Sequence, residues 1–433
     1  MTPQSSFMVV APLAEGQAEP LRKLLVTMNL QPGFADPQNA LVPFGRIERL
    51  HVARLFVLEE LGPDDMTTAY GLPRSDWPPS LCFLGDCDGP PEETLSDLAQ
   101  QAGPGLRQIF GFCRDFAPGA DLVAWMKAHE CPPAALYANW AGRTVRQVRE
   151  ESRLRKTLAD FLLDNPQLAD APPAEVRDRL ILLVRDLRKQ GALILTPPEP
   201  TPPDWQRRKL LHAIGVPLLL LLLAPFFLLY LPIFIWQLRS REKTDPEVIP
   251  RPDPEHLQQL ASLEDHDVSN QFSAFGSVKP GLFRQLTVAF LLWLLDYAAR
   301  HIFNRGHLTR VSTIHFARWV FLDGRKRILF ASNYDGSLES YMDDFINKVA
   351  WGLNLVFSNG LGYPKSSWLI LGGAKDEQKF KYYIRRHELP TEVWYKAYPG
   401  LTAFDLARNA QIREGIERTD MSEGEIREWL SLI

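Results

Sequence analysis

Hydrophobic and polar residues recur along the chain with the two periods that distinguish strands from helices. Short runs rich in aromatic and β-branched residues predict strands, and longer runs with apolar residues every three or four positions predict helices. The second half is predicted to form a strand (270–278), a helix (280–303), strands (310–322 and 327–333), a helix (337–359) and a strand (391–399). The first half repeats this order, with a strand (6–11), a helix (17–29), strands (47–57 and 80–85), a helix (91–113) and a strand (134–140). The chain therefore contains two predicted β-α-β-β-α-β units.

Identical residues in matching positions of the two halves support a duplication. The segment KAHECPPAALYANWAGRT (127–144) aligns without a gap on RRHELPTEVWYKAYPGLT (385–402). The aligned pairs in the three matching blocks include His129 with His387, Glu130 with Glu388, Thr144 with Thr402, Asp88 with Asp335, Gly89 with Gly336, His51 with His315 and Arg54 with Arg318. Three blocks in the same order indicate that one ancestral unit occurs twice.

The predicted order of elements in each unit is the ferredoxin-like pattern. A tandem of such units resembles the dimeric α+β barrel superfamily in its single-chain form, which implies an α+β fold whose two sheets pack face to face as an intramolecular barrel. The expected boundaries are a first ferredoxin-like unit (1–155), amphipathic helices with a Pro-rich linker (156–205), a membrane segment (206–243), a linker (244–265) and a second ferredoxin-like unit (266–433).

An Asp-Gly pair after a strand in each unit resembles the GxxDG motif of dye-decolorising peroxidases. The letters are GDCDG (85–89) in the first unit and SNYDG (332–336) in the second, where Ser332 replaces the first glycine of the motif. This resemblance implies haem as a cofactor and a peroxidase-like activity. No segment clearly supplies the proximal haem histidine of those enzymes, so the sequence leaves open whether the protein is an enzyme.

The stretch between Lys209 and Arg239 contains no Asp, Glu, Lys or Arg. It exceeds the roughly 20 apolar residues that cross a bilayer core, and we expect it to insert into the membrane. A single crossing would separate the two units, so we favour a hairpin or an in-plane anchor, since prolines punctuate the segment and basic residues flank both ends. The alternative is a second crossing by residues 282–303. The favoured topology places both units in the cytoplasm.

Candidate catalytic residues lie on the central hairpin of the second unit. The turn at 323–326 should bring His315 close to Asp335, and Arg318 lies on the same strand. A histidine, an aspartate and an arginine at one strand end suit acid–base chemistry or the binding of an anion. In the structural interpretation, Arg318 and Asp335 form an ion pair, and His315 is a hydrogen-bonded sheet residue. The presence of the same residues in both units favours this interpretation.

Aromatic residues are more frequent in the second unit than in the first. Trp319, Tyr334 and Tyr395 are the candidates to line a cavity for haem or another flat or hydrophobic ligand, although aromatic residues also dominate ordinary cores. No cluster of histidine and cysteine has zinc spacing, so no metal site is predicted.

Composition narrows the function further. The 433 residues carry a net charge of −4 and contain four cysteines without a CxxC pair, which indicates a reducing compartment and gives no support to nucleic acid as a partner. The N-terminus lacks the pattern of a secretory signal.

From the apolar segment and the aromatic residues together, we expect a membrane-anchored protein that contacts lipid and binds a hydrophobic or flat aromatic ligand. The alternative is a non-catalytic, membrane-tethered scaffold; ligand identity and oligomeric state stay open.

Overall fold

The computed structural model describes residues 1–303 and 306–433, and its fold is mixed α+β. The strands are β1 (Gln4–Pro12), β2 (Asn29–Gln31), β3 (Phe34–Ala35), β4 (Leu50–Leu58), β5 (Ser80–Asp88), β6 (Ala135–Ala138), β7 (Ser269–Ser277), β8 (Ile314–Leu322), β9 (Arg327–Asp335), β10 (Ser366–Ser367), β11 (Leu371–Gly372) and β12 (Val393–Lys396). The helices are α1 (Ala18–Val26), α2 (Asp65–Tyr70), α3 (Pro91–Phe110), α4 (Leu122–Ala128), α5 (Val145–Asp164), α6 (Pro173–Lys189), α7 (Pro203–Thr244), α8 (Pro254–Ala261), α9 (Leu282–His301), α10 (Leu338–Phe357), α11 (Glu377–His387), α12 (Ala403–Glu417) and α13 (Glu423–Leu430).

Two four-stranded antiparallel sheets form the centre of the fold, and each takes one strand from the other half of the chain. The first sheet has the order β1-β5-β4-β12, and the second has the order β6-β8-β9-β7. The fourth predicted strand of each half therefore pairs with the opposite half. In the described part of the chain these sheets remain separate, and the expectation of a closed barrel is wrong.

The repeated His-Glu-x-Pro sequence marks the point where the chain leaves one sheet for the other. Glu130 makes a single bridge to Val9 of β1, and Glu388 makes the corresponding bridge to Ala274 of β7. A proline follows two residues later in each copy. After these bridges the chain continues into β6 or β12, on the opposite sheet. The same short sequence thus accompanies the same exchange of strands in each half.

The two sheets bury an apolar layer between them. Its residues are Met8, Val10, Phe56, Leu58, Cys82 and Leu84 from the first sheet, with Phe275, Val320, Leu322, Leu329 and Ala331 from the second. Helices cover the outer faces and form two further cores. Because both faces of each sheet are covered, its strands are buried almost throughout rather than at alternate residues, and β7 buries polar residues such as Ser269, Asn270 and Gln271.

Two helices are long and apolar enough to cross a membrane. In α7 the most apolar window has a mean hydropathy of 2.7 and none of its residues is buried, whereas in α9 the value is 1.3 and a third of the window is buried. The helix α7 is continuous over 42 residues, with Pro217, Pro225 and Pro232 inside it, rather than a hairpin.

The helices α5 and α12 pack against each other, and a buried carboxylate joins them. Both begin with a capping box, at Thr144 and Thr402. Glu151 on α5 accepts a hydrogen bond from Arg143 Nη1 at 2.8 Å and pairs with Arg413 of α12 at 3.4 Å. Burial raises the pKa of Glu151 to about 7, although both arginines lower it.

We expect the free energy of unfolding to fall as pH rises from about 5 to 8. The raised pKa means that folded Glu151 keeps its proton where the unfolded chain has lost it, so the stabilisation is present at low pH and is lost as pH rises through about 7. Glu151→Gln should flatten the pH dependence by about 1–3 kcal/mol over this range. Urea unfolding at several pH values measures it. Asp160→Asn, at an exposed carboxylate of α5 that pairs with Lys156, should leave the slope unchanged, and an unaltered slope in Glu151→Gln would contradict the assignment.

Candidate functional site

His315 and Asp335 lie together, as the sequence predicts. Their Nε2 and Oδ1 atoms are 2.6 Å apart, and both residues are largely buried. His315 occupies a β-bulge in β8, where the register with β9 shifts between Ile314 and Phe316. A bulge changes the direction of a side chain relative to the regular alternation of a strand, which accounts for the orientation of this histidine toward Asp335.

The first half contains the same arrangement at His51 and Asp88. The Nε2 atom of His51 lies 2.9 Å from Asp88 Oδ1, and His51 also occupies a register shift, in β4. The second oxygen of each aspartate accepts the first backbone N–H of a helix, from Val145 at 2.9 Å for Asp88 and from Ala403 at 2.7 Å for Asp335. Each His–Asp pair therefore joins a sheet to the start of α5 or α12, a structural role that occurs twice.

Arg318 does not pair with Asp335, contrary to the structural interpretation of the sequence. It crosses the space between the sheets, where Nη1 donates to the carbonyl of Phe7 at 2.8 Å and Nη2 donates to that of Gly85 at 3.1 Å. Its ion-pair partner is Asp86, at 2.5 Å, and both side chains are 2% exposed. The structure thus brings His315 and Asp335 together and directs Arg318 to the other sheet.

Arg54 makes the reciprocal crossing from the first sheet. Its guanidinium donates to the carbonyls of Phe272 and Ser332 and to the side chains of Ser273 and Asn333. Asn333 stands where the first half has Asp86, so Arg54 has a neutral partner. Burial, followed by the nearby Arg318, lowers the pKa of Arg54. Both arginines thus join the two sheets through similar contacts, but the side-chain partner of Arg318 is charged and that of Arg54 is neutral.

The space beside the two histidines is small. His51 and His315 line one cavity of about 10 Å³, together with Phe316 and Tyr398. Tyr398 Oη lies 3.1 Å from His51 Nδ1, and Gln4 Nε2 lies 3.1 Å from His51 Nε2. A volume of this size is about that of one water molecule. The residues around His315 therefore do not fit a haem.

The three aromatic candidates occupy different places. Tyr334 stacks on Tyr341 with ring centroids 3.9 Å apart, in the core of the second sheet. Tyr395 stacks on Phe44 in the core of the first sheet. Burial raises the pKa of Tyr334 and Tyr395, so both phenols remain neutral. Trp319 alone of the three lines a sizeable apolar cavity, of about 240 Å³ between α9 and α10.

A larger cavity lies where the beginning of α7 and the end of α9 meet strand β6. Its volume is about 470 Å³, within the roughly 300–1,000 Å³ range of ligand pockets. Its apolar walls include Leu136, Ala138 and Trp205. The basic residues that line it are Arg208, Lys209, His212, Arg300 and His301. Of the described residues that line this cavity, none is acidic, so the cavity suits a ligand with a negative charge and an apolar part.

Sequence reasoning identified part of this cavity for another reason. The basic residues 207–209 flank the predicted membrane segment, but nothing in the sequence places them beside Leu136 or the end of α9.

The described residues contain no group of three or more His, Cys, Asp or Glu that could hold a metal ion. No protein-family model and no curated protein matches the chain. The features of the described residues that bear on function are the large cavity and the exposed apolar surface of α7.

Proposed function

We propose that this protein is a membrane-associated binding protein with both halves on the same side of the bilayer. In this proposal it consists of two tandem ferredoxin-like units that have exchanged their fourth strands, and α7 lies in one leaflet beside them. It presents a ligand site next to the lipid. The cytoplasm is the proposed side, which the basic residues at both ends of α7 and the four free cysteines support.

The observation that carries the proposal is that both ends of α7 are attached to the same α+β body. At the beginning of α7, Trp205 and Arg208 line the large cavity with residues of β6. At the end of α7, Arg239 donates to Ser367 Oγ at 2.7 Å, and Glu242 accepts the backbone N–H of Leu369 at 2.8 Å. A helix of 42 residues is about 63 Å long, so these attachments lie far apart on one surface.

The contacts of α9 also oppose a crossing by α7. The two helices are antiparallel, with ring contacts of Phe227 to Phe290 at 5.5 Å and of Phe234 to Phe283 at 5.4 Å. The opposite face of α9 is buried on the second sheet, where Leu292 is fully covered. A spanning α7 that kept these contacts would carry strands of the sheet into the bilayer core, where the edge of an open sheet is unfavourable. An in-plane α7 retains all of them.

A double-cysteine variant tests this topology. Gln206→Cys and Lys243→Cys place thiols at exposed positions at the two ends of α7, in a background with Cys131→Ser because the other three native cysteines are buried. The protein is reconstituted in vesicles and treated with a membrane-impermeant maleimide. We expect each molecule to gain two labels or none by mass spectrometry, because both ends lie on one side.

A spanning helix gives a different result in the same experiment. Each molecule would then gain one label before detergent is added and the second only afterwards, whichever way it is inserted. The two single-cysteine variants control for the reactivity of each thiol. A protein that does not associate with vesicles at all would also contradict the proposal. Haem binding, peroxidase-like activity and a scaffold role stay predictions and enter no step of it.

A further inference from the structure

We propose that the cavity of about 470 Å³ between α7, α9 and β6 binds the headgroup of an anionic glycerophospholipid from the adjoining leaflet. This inference rests on the proposed membrane association and names the ligand. Arg208 and Lys209 are exposed on the second turn of α7, and neither has a carboxylate partner among the described residues. Two cations without counter-charges at a cavity mouth favour a phosphate.

The surroundings of these two cations favour a lipid over a free anion. Leu210, Leu211 and Ile214 follow immediately along α7 and expose more than half of their surface. A phosphate near Lys209 would therefore place attached acyl chains beside apolar side chains that already face the leaflet. Trp205 lies at the same end and lines the cavity, and tryptophan is enriched at the level of the headgroups.

The end of α9 forms another wall of the cavity but adds little free positive charge, because both of its basic residues have partners. Arg300 pairs with Asp296 at 2.7 Å, and His301 Nε2 lies 2.9 Å from His212 Nδ1. The Tyr297 hydroxyl donates to the carbonyl of Ala213 at 3.2 Å, which holds α9 against α7 beside the cavity. Because one wall belongs to α7 and another to the sheet, a lipid bound here contacts the membrane helix and the α+β body together.

Native mass spectrometry of the full-length protein in mild detergent tests the site. Phosphatidylglycerol and phosphatidylcholine with identical acyl chains are the probes. We expect phosphatidylglycerol to bind at least tenfold more tightly, and Arg208→Gln with Lys209→Gln to remove most of this preference. Arg207→Gln is the matched control, because it removes a neighbouring charge that does not line the cavity. Ala141→Trp, which fills the cavity from its exposed rim, should weaken binding without a change of charge.

Several outcomes would overturn the assignment. Equal binding of the two lipids, or equal losses in Arg207→Gln and in the double variant, would mean that the charges act non-specifically. Displacement of the lipid by inorganic phosphate alone would identify a site for a free anion. Flotation with phosphatidylcholine vesicles separates this inference from the proposed function, because the apolar surface of α7 should bind neutral vesicles even when the cavity variants have lost their lipid preference.

Discussion

Arg318→Met is expected to lower the free energy of unfolding by about 3–5 kcal/mol. The substitution leaves Asp86 as a charge that is 2% exposed and has lost its ion pair. It also removes donors from the carbonyls of Phe7 and Gly85, in the layer between the sheets. Methionine fills much of the volume of arginine, so the loss comes mainly from the unpaired charge. Urea unfolding followed by far-ultraviolet circular dichroism measures the change.

The duplicated structure supplies a matched control for this experiment. Arg54→Met removes the reciprocal arginine, whose partner Asn333 is neutral, so no charge is left unpaired and we expect a smaller loss. Adding Asp86→Asn to Arg318→Met should recover part of the stability, because the buried charge that has lost its partner is then removed. Equal losses in the two methionine variants, or no recovery in the double variant, would contradict an energetically important ion pair.

The result also decides how to interpret a predicted catalytic residue. The sequence predicts that Arg318 acts near His315 and Asp335, but its contacts join the second sheet to the first. A residue that only binds a ligand could be replaced with little loss of stability. If Arg318→Met has the same free energy of unfolding as the wild type but loses ligand binding, the catalytic or binding interpretation is correct and the structural one is wrong.

Local patterns predicted most elements of the two halves, because those elements depend on neighbours in sequence. The helix predicted at 280–303 is α9 (Leu282–His301), and the strands predicted at 310–322 and 327–333 are β8 and β9. The turn between them also brings His315 to Asp335, since a short hairpin fixes the register of its strands.

The partners of these elements could not be predicted, because alternation within a strand does not specify which sheet it joins. The sequences of β6 and β12 would suit a strand in either sheet. Only the three-dimensional packing places each of them in the sheet of the opposite half. Asp86 is distant in sequence from Arg318, and the sequence offered Asp335 as a nearer carboxylate. The large cavity was missed for the same reason, since it needs β6 beside α7 and α9.

Replacing four exposed leucines of α7 with glutamine is expected to reduce vesicle binding by at least a hundredfold. Leu221, Leu222, Leu228 and Leu229 each expose at least 70% of their surface in the protein alone. Transfer of a leucine side chain from lipid to water costs about 1.5–3 kcal/mol, so even partial insertion of four gives a large effect. The fold should persist, because these side chains cover no core. Flotation with phosphatidylcholine vesicles measures binding, and circular dichroism monitors the fold.

A control with the same chemistry separates insertion from a general change in hydrophobicity. Leu30, Leu163 and Ile194 are also exposed, but they lie outside α7, and their replacement with glutamine should leave vesicle binding unchanged. If the α7 variant still binds vesicles, α7 is not the membrane-inserted element. If the wild type does not bind but self-associates, and the α7 variant is monomeric, then α7 packs against a second copy of the chain. The in-plane topology requires the opposite result, in which lipid covers α7 and the α+β body stays in water beside it.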